Sequence, residues 1–139
     1  MCLPVTKMRF LFLRDPLFLF SVALYLFNRG FLKAHFPQDQ FLHGYLTDVL
    51  CLPVWVPFMV WGMRKFGLRD ESPPRWSEIL VPLVFWSLMF EFWLPQTTVF
   101  GRFAPGDPFD IMAYTVGGIL AFGIWKIIYH RRWNLAASR

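Results

Sequence analysis

The chain predicts an all-α polytopic membrane protein, a four-transmembrane-helix bundle with both termini cytoplasmic. Three observations carry that prediction. Of the 139 residues, 56% are hydrophobic and 20% aromatic, more apolar surface than a soluble domain of this length buries. Charged residues amount to 17%, against roughly 25% for ordinary globular chains. The chain also divides into four apolar stretches near the length of roughly 20 residues that crosses a hydrocarbon core. Together they form a single transmembrane domain over residues 1–139 and leave no room for a separate soluble one. The same figures exclude a disordered chain and a coiled coil.

The first span covers residues 16–32 and follows Arg14 and Asp15. The second, 44–63, ends at Arg64 and Lys65 and contains Pro53 and Pro57. Those prolines free the carbonyls of Val49 and Pro53, which in lipid need a partner from a neighbouring helix or a water. The third, 79–95, is bounded by Glu78 and by Gln96, Thr97 and Thr98. The fourth, 109–129, is entered through Asp107 and Pro108, a capping residue and a proline suited to early helix entry, and is closed by His130, Arg131 and Arg132. Within it Ala113, Gly117 and Ala121 form a small-x3-small series that admits another helix closely. Residues 3–13 read as a segment lying along the inner interface with Lys7 and Arg9 snorkelling. The connection 66–77, with Pro73 and Pro74, reads as an ordered turn. Most of the seven tryptophans fall near span ends, the aromatic-belt habit.

Counting Lys and Arg in alternate connections puts eleven of the fourteen on one side and only Arg29, Lys33 and Arg102 on the other. Cytoplasmic loops retain such residues, which sets the expected orientation. The net charge of +5 is then a matter of topology, with anionic inner-leaflet lipid as its partner. Nucleic acid is not expected, because no contiguous basic face with interleaved aromatics is present. No small-residue cleavage site precedes the first span, so no cleavable signal is expected. Cys2 lies on the reducing side and Cys51 inside a span, so no disulfide is expected.

An ionisable residue inside a span costs about 2.5–3.5 kcal/mol on insertion scales and needs a reason. Asp48, Glu91 and Asp110 lie at similar depth in the outer half, with Asn28, Arg29, Arg102 and Asp107 at the same level. Helical spacing places Asp110, Tyr114, Gly117 and Ala121 on one face, Ser87 and Glu91 on another, and Gly44, Asp48, Cys51 and Trp55 on a third. Convergence into a polar, wet cavity serves both the acids and the freed carbonyls. The local alternatives are that Asp107 and Asp48 cap helix starts and that Glu91, near a helix C-terminus, pairs with Arg102 or Arg29 or stays protonated through desolvation. His35 and His43 flank the outer loop, where a metal site would need further ligands; the nearby carboxylates leave a divalent ion as an alternative, and no cofactor motif is present. No hydrolytic or transfer motif occurs either. A lipid-directed acid–base pair of His43 and Asp48 has a five-residue spacing that puts them on different sides of a helix.

The stretch EFWLPQTTVFGRFAPGDPFDIMAYTVGGILAFG, residues 91–123, resembles the VanZ-like family of small bacterial membrane proteins. That pattern has a glutamate late in one span, a loop arginine, an Asp-x-x-Asp pair and a helix with small residues. Here these fall on Glu91, Arg102, Asp107 and Asp110, followed by Gly117 and Gly118. The chain departs from the family at Tyr114, where an asparagine is usual, and at Leu94, where a glutamine is. The resemblance implies a protein of the bacterial inner membrane and cell envelope, the founding example being linked to glycopeptide resistance, and no established catalytic mechanism. The combined expectation is a ligand site of Asp48, Glu91, Arg102, Asp107, Asp110, Arg29 and His43. Its ligand would be a polar lipid or cell-wall precursor headgroup bearing an amine, or a cation, including a bridging divalent one. Arg102 and Arg29 would offset part of the acidic charge or hold a phosphate. The rival expectation is an accessory structural subunit of a larger membrane complex or a homo-oligomer, on small size and abundant aromatic surface.

Overall fold

The computed structural model describes residues 9–39, 41–99 and 107–137; of residues 42, 43 and 131–137 it describes the backbone alone. Four helices are long and apolar enough to cross a membrane. They are α1 (Pro16–His35), α2 (Leu46–Lys65), α3 (Trp76–Gln96) and α4 (Pro108–Ala137), the apolar part of α4 ending at His130.

The helix ends follow from capping as much as from hydropathy. Asp15 caps α1 by accepting from the Phe18 N–H at 3.0 Å, with Pro16 in the first position. Helix α3 begins at Trp76, ahead of the apolar run, because Glu78 lies in its first turn. The Glu78 carboxylate accepts from the Arg75 N–H at 2.7 Å and from two Arg69 nitrogens at 2.8 and 2.9 Å. Helix α4 carries on through the basic residues that close its apolar part, since arginine is a good helix former.

Three wide i→i+5 turns re-phase the helices at one end of the bundle. They lie at Asn28–Leu32 in α1, at Phe41–Tyr45 just before α2, and at Leu88–Trp93 in α3. A turn of this kind adds a residue to the helical period, so every side chain beyond it points elsewhere than a 3.6 repeat predicts. The opposite end, where Arg9, Arg64, Arg69 and Arg75 gather, has none among the described residues.

Helices α2 and α4 form the central pair; α3 packs on both, and α1 mainly on α2. The shared core joins Leu52, Val56 and Val60 of α2, Ile79 of α3, and Ala121, Trp125 and Tyr129 of α4. The α2–α4 approach is set by glycine. A Cβ at Gly117 would stand 2.1 Å from the Val49 carbonyl oxygen, and one at Gly118 would stand 2.9 Å from a Leu52 methyl. The Val49 carbonyl is one of the two that a proline releases, and the glycine Cα–H is its neighbour across the interface.

At the arginine-rich end the packing departs from what the sequence suggests. Trp125 is no belt residue: it is 1% exposed, and its Nε1 donates to Asp15 at 2.8 Å. Asp15 is no loop charge either, being fully buried and accepting from the Tyr129 hydroxyl at 2.7 Å as well. Trp76 and Trp93 do remain exposed near span ends. The described residues of the leading segment pack on the bundle. Phe10 is buried edge-on against Trp125, and its N–H donates to the Glu71 carbonyl at 2.7 Å. Arg9 and Arg64 pair with the Glu71 side chain. Partial burial works against charge at Glu71, but these two hydrogen-bonded guanidiniums outweigh it and hold the carboxyl below the usual range.

Two substitutions test this packing. Gly117→Ala should lower stability in mild detergent by about 2 kcal/mol through overpacking, whereas Gly123→Ala, where an added Cβ meets nothing within 4 Å, should leave the thermal midpoint unchanged or slightly raised. Asp15→Ala strips the acceptor from two buried donors and should cost about 3 kcal/mol, with Asp15→Asn, which keeps one acceptor oxygen, falling between.

Candidate functional site

The end of the bundle with the wide turns also holds the acids. Asp48 follows the Phe41–Tyr45 turn by three residues, Glu91 lies inside the Leu88–Trp93 turn, and Asp110 occupies the first turn of α4. All three line one cavity of about 530 Å³. Its walls alternate acid and ring: α2 gives Asp48 and Trp55, α3 gives Phe90 and Glu91, and α4 gives Asp110 and Tyr114. Asp48 lies within electrostatic reach of Asp110, Glu91 and the Tyr114 hydroxyl. The Gly117 contact explains the meeting. Gly117 sits two turns along the Asp110 face and touches the carbonyl next to Asp48, so close packing there brings the two carboxyls together.

The polar atoms of α3 are left unsatisfied at this level. Glu91 Oε2, Ser87 Oγ and Trp86 Nε1 are buried and have no hydrogen-bond partner among the described residues. Each such atom costs about 1–3 kcal/mol, and native interiors rarely keep them. Of the three, which fall within six residues of α3, Glu91 lines the cavity and Trp86 and Ser87 lie behind its lining. Trp86 is wedged between Trp55, edge-on at 5.1 Å, and Phe90, stacked at 5.2 Å, so the aromatic side of the wall is held rigidly.

The other expected residues divide. Asp107 caps α4, accepting from the Phe109 N–H at 3.0 Å, and its second oxygen accepts from the Tyr45 hydroxyl at 3.2 Å. It does not line the cavity, and both its oxygens are engaged, as its local capping alternative has it. Asp48 caps nothing, because α2 is entered through the wide turn and has no side-chain cap. Arg29 is exposed on the α1 turn, does not line the cavity and makes no ion pair with a described residue, so it is not the partner of Glu91. Arg102 and the His43 side chain lie outside what the structure describes. His35 is exposed and stacked on Phe31 at 4.0 Å. Among the described residues no Lys, Arg or His lines the cavity. Nor do any three His, Cys, Asp or Glu among them come close enough to hold a metal ion.

Several lining residues were missed by the reading of spacing, among them Phe90 and the two polar groups Tyr25 and Thr47. Tyr25 of α1 and Thr47 of α2 also line the cavity, and Thr47 accepts from the buried Asn28 amide at 3.4 Å, tying α1 to the rim. The signal was there: α1 carries few polar groups, and Tyr25 and Asn28 lie one turn apart. Chemically, carboxyls set among aromatic faces favour an organic cation, which gains from both.

No family model matches the chain, and no curated protein or solved structure matches it.

Cys51, which lines the cavity, reports on its field. In a Cys2→Ser background, the cationic reagent MTSEA should label Cys51 faster than the anionic MTSES by about tenfold, the scale of electrostatic steering into a cleft of one sign. In Asp48→Asn with Asp110→Asn the two rates should converge.

Proposed function

We propose that this is a VanZ-like protein of the bacterial cell envelope whose acidic cavity binds the amine-bearing headgroup of a lipid or cell-wall precursor. In this reading the chain sits in the inner membrane with both termini in the cytoplasm, and the cavity lies in the outer half of the bilayer. The observation that carries it is the convergence of Asp48, Glu91 and Asp110, from three helices, on one aromatic-walled cavity.

Several features support an ammonium headgroup over a bare ion. The volume of about 530 Å³ falls within the roughly 300–1,000 Å³ of small-molecule sites. The acids do not cluster tightly enough for shared metal coordination. The faces of Trp55, Phe90 and Tyr114 offer cation–π attraction of about 0.5–2 kcal/mol each. Orientation rests on the imbalance of basic residues, since eleven of fourteen fall in the connections on one side of the four spans by sequence. The family reading gains from the roles its motif residues have here. Glu91 and Asp110 line the cavity, Asp107 caps the helix that presents Asp110, and Gly117 and Gly118 set the helix approach.

The test is thermal unfolding of the full chain in mild detergent with added phosphatidylethanolamine, phosphatidylglycerol or Mg²⁺. Phosphatidylethanolamine should raise the midpoint, and Asp48→Asn, Glu91→Gln and Asp110→Asn should each remove at least half of that rise while leaving the response to phosphatidylglycerol intact. A rise unchanged in all three variants overturns the proposal. A rise given by Mg²⁺ alone, and lost in the same variants, transfers the site to a metal cation.

A further inference from the structure

We propose that the arginine-rich end of the bundle carries a second, separate site, for the phosphate of an anionic phospholipid headgroup. A cavity of about 530 Å³ lies there between the leading segment and the last turn of α2. Four cations line it, Arg9, Arg14, Arg64 and Lys65, against a single carboxylate, Glu71. Glu71 is already used by Arg9 and Arg64. Arg14 and Lys65 make no ion pair with any described residue, and both are exposed. The cavity therefore has two cations free to meet an anion.

Their placement fits a lipid. Arg14 stands two residues before the first residue of α1, and Lys65 is the last residue of α2, so both sit where a helix leaves the hydrocarbon. Trp61 forms the wall one turn deeper, with the Lys65 ammonium 5.7 Å from its ring centre. Beyond it Phe58, 48% exposed and 6.0 Å from the Trp61 ring, continues the wall as an apolar track of the kind an acyl chain follows. The turn that presents Arg14 is built at some cost. Phe12 has φ of +51°, a left-handed conformation that a bulky residue avoids at about 1–2 kcal/mol. Two short-range hydrogen bonds, from Arg14 N–H to the Leu11 carbonyl and from Asp15 N–H to the Phe12 carbonyl, hold that turn. Burial of Phe10 and Asp15 on either side fixes it against the bundle. A soluble phosphate would meet the same cations but would gain nothing from the apolar track, so the commitment is to phospholipid.

The experiment uses the full chain in mild detergent, with thermal unfolding read against added phosphatidylglycerol, phosphatidylcholine or inorganic phosphate. With the acidic cavity disabled by Asp48→Asn and Asp110→Asn, so that choline has no site there, phosphatidylglycerol should raise the midpoint and the other two should not. The double variant R14Q/K65Q should weaken the apparent affinity for phosphatidylglycerol about thirtyfold, taking roughly fivefold for each cation near a lipid surface. R14K/K65R should keep it, and so should K126Q, which removes an exposed cation of the same end outside this cavity. Should the double variant fold poorly, the single variants R14Q and K65Q each carry the same reading at about fivefold. Full retention of affinity in R14Q/K65Q, an equal loss in K126Q, or an equal response to inorganic phosphate overturns the proposal.

Discussion

The contact between the Val49 carbonyl and Gly117 is the constraint from which most of this architecture follows. Pro53 removes the amide that would close the helical bond to Val49, and in a lipid interior that oxygen needs another neighbour. Helix α4 supplies it by presenting a residue without a side chain, so the two backbones touch. Contact at that height fixes the register of α2 on α4. One residue earlier on α2 is Asp48, and two turns earlier on α4 is Asp110, so the same contact that satisfies a carbonyl brings two carboxyls face to face. Gly118 extends the effect to α3, since Leu52 and Ile79 both close over it. Packing and site are thus one geometric solution.

The two ends of the bundle treat buried polarity in opposite ways. Asp15 accepts from the Phe18 amide, the Trp125 indole and the Tyr129 hydroxyl, leaving little capacity unused. A carboxylate so satisfied ties the start of α1 to the end of α4 and has nothing left for a ligand. Glu91 is the reverse case, with a buried oxygen unmatched by any described donor and two more unpaired polar atoms on the same stretch of α3. Folding energy alone gives no reason to keep such a group in a span.

What could be read from the sequence was what depends on composition and depth. Four spans, their rough limits and the level shared by Asp48, Glu91 and Asp110 all follow from hydropathy, because insertion depth is a one-dimensional property of the chain. The face shared by Asp48, Cys51 and Trp55 was legible too, since no wide turn interrupts α2 between them. Two kinds of feature were not legible. Wide turns leave no mark in a 3.6-residue pattern, so those of α1 and α3, and the extension of α1 to His35, escaped it. Residues paired across the whole chain escaped it as well. Asp15 and Trp125 are separated by 110 positions, and nothing local distinguishes a carboxylate beside Arg14 from a solvated loop charge.

The distribution of burial among the helices bears on how a headgroup would reach the acidic cavity. Helices α2 and α4 each bury 33% of their apolar window and α3 buries 17%, whereas α1 buries 11%. Helix α1 leans mainly on α2, and at the rim Tyr25 and the Asn28–Thr47 bond are what it contributes. A helix with so little buried surface is the element whose displacement costs least. Its wide turn at Asn28–Leu32 lies at the level where movement would open the cavity toward lipid. The acids, by contrast, stand on α2, α3 and α4, which the glycine contacts lock together. A rigid acidic wall thus faces a lightly held helix, and displacement of α1 would leave the acidic side chains where they stand.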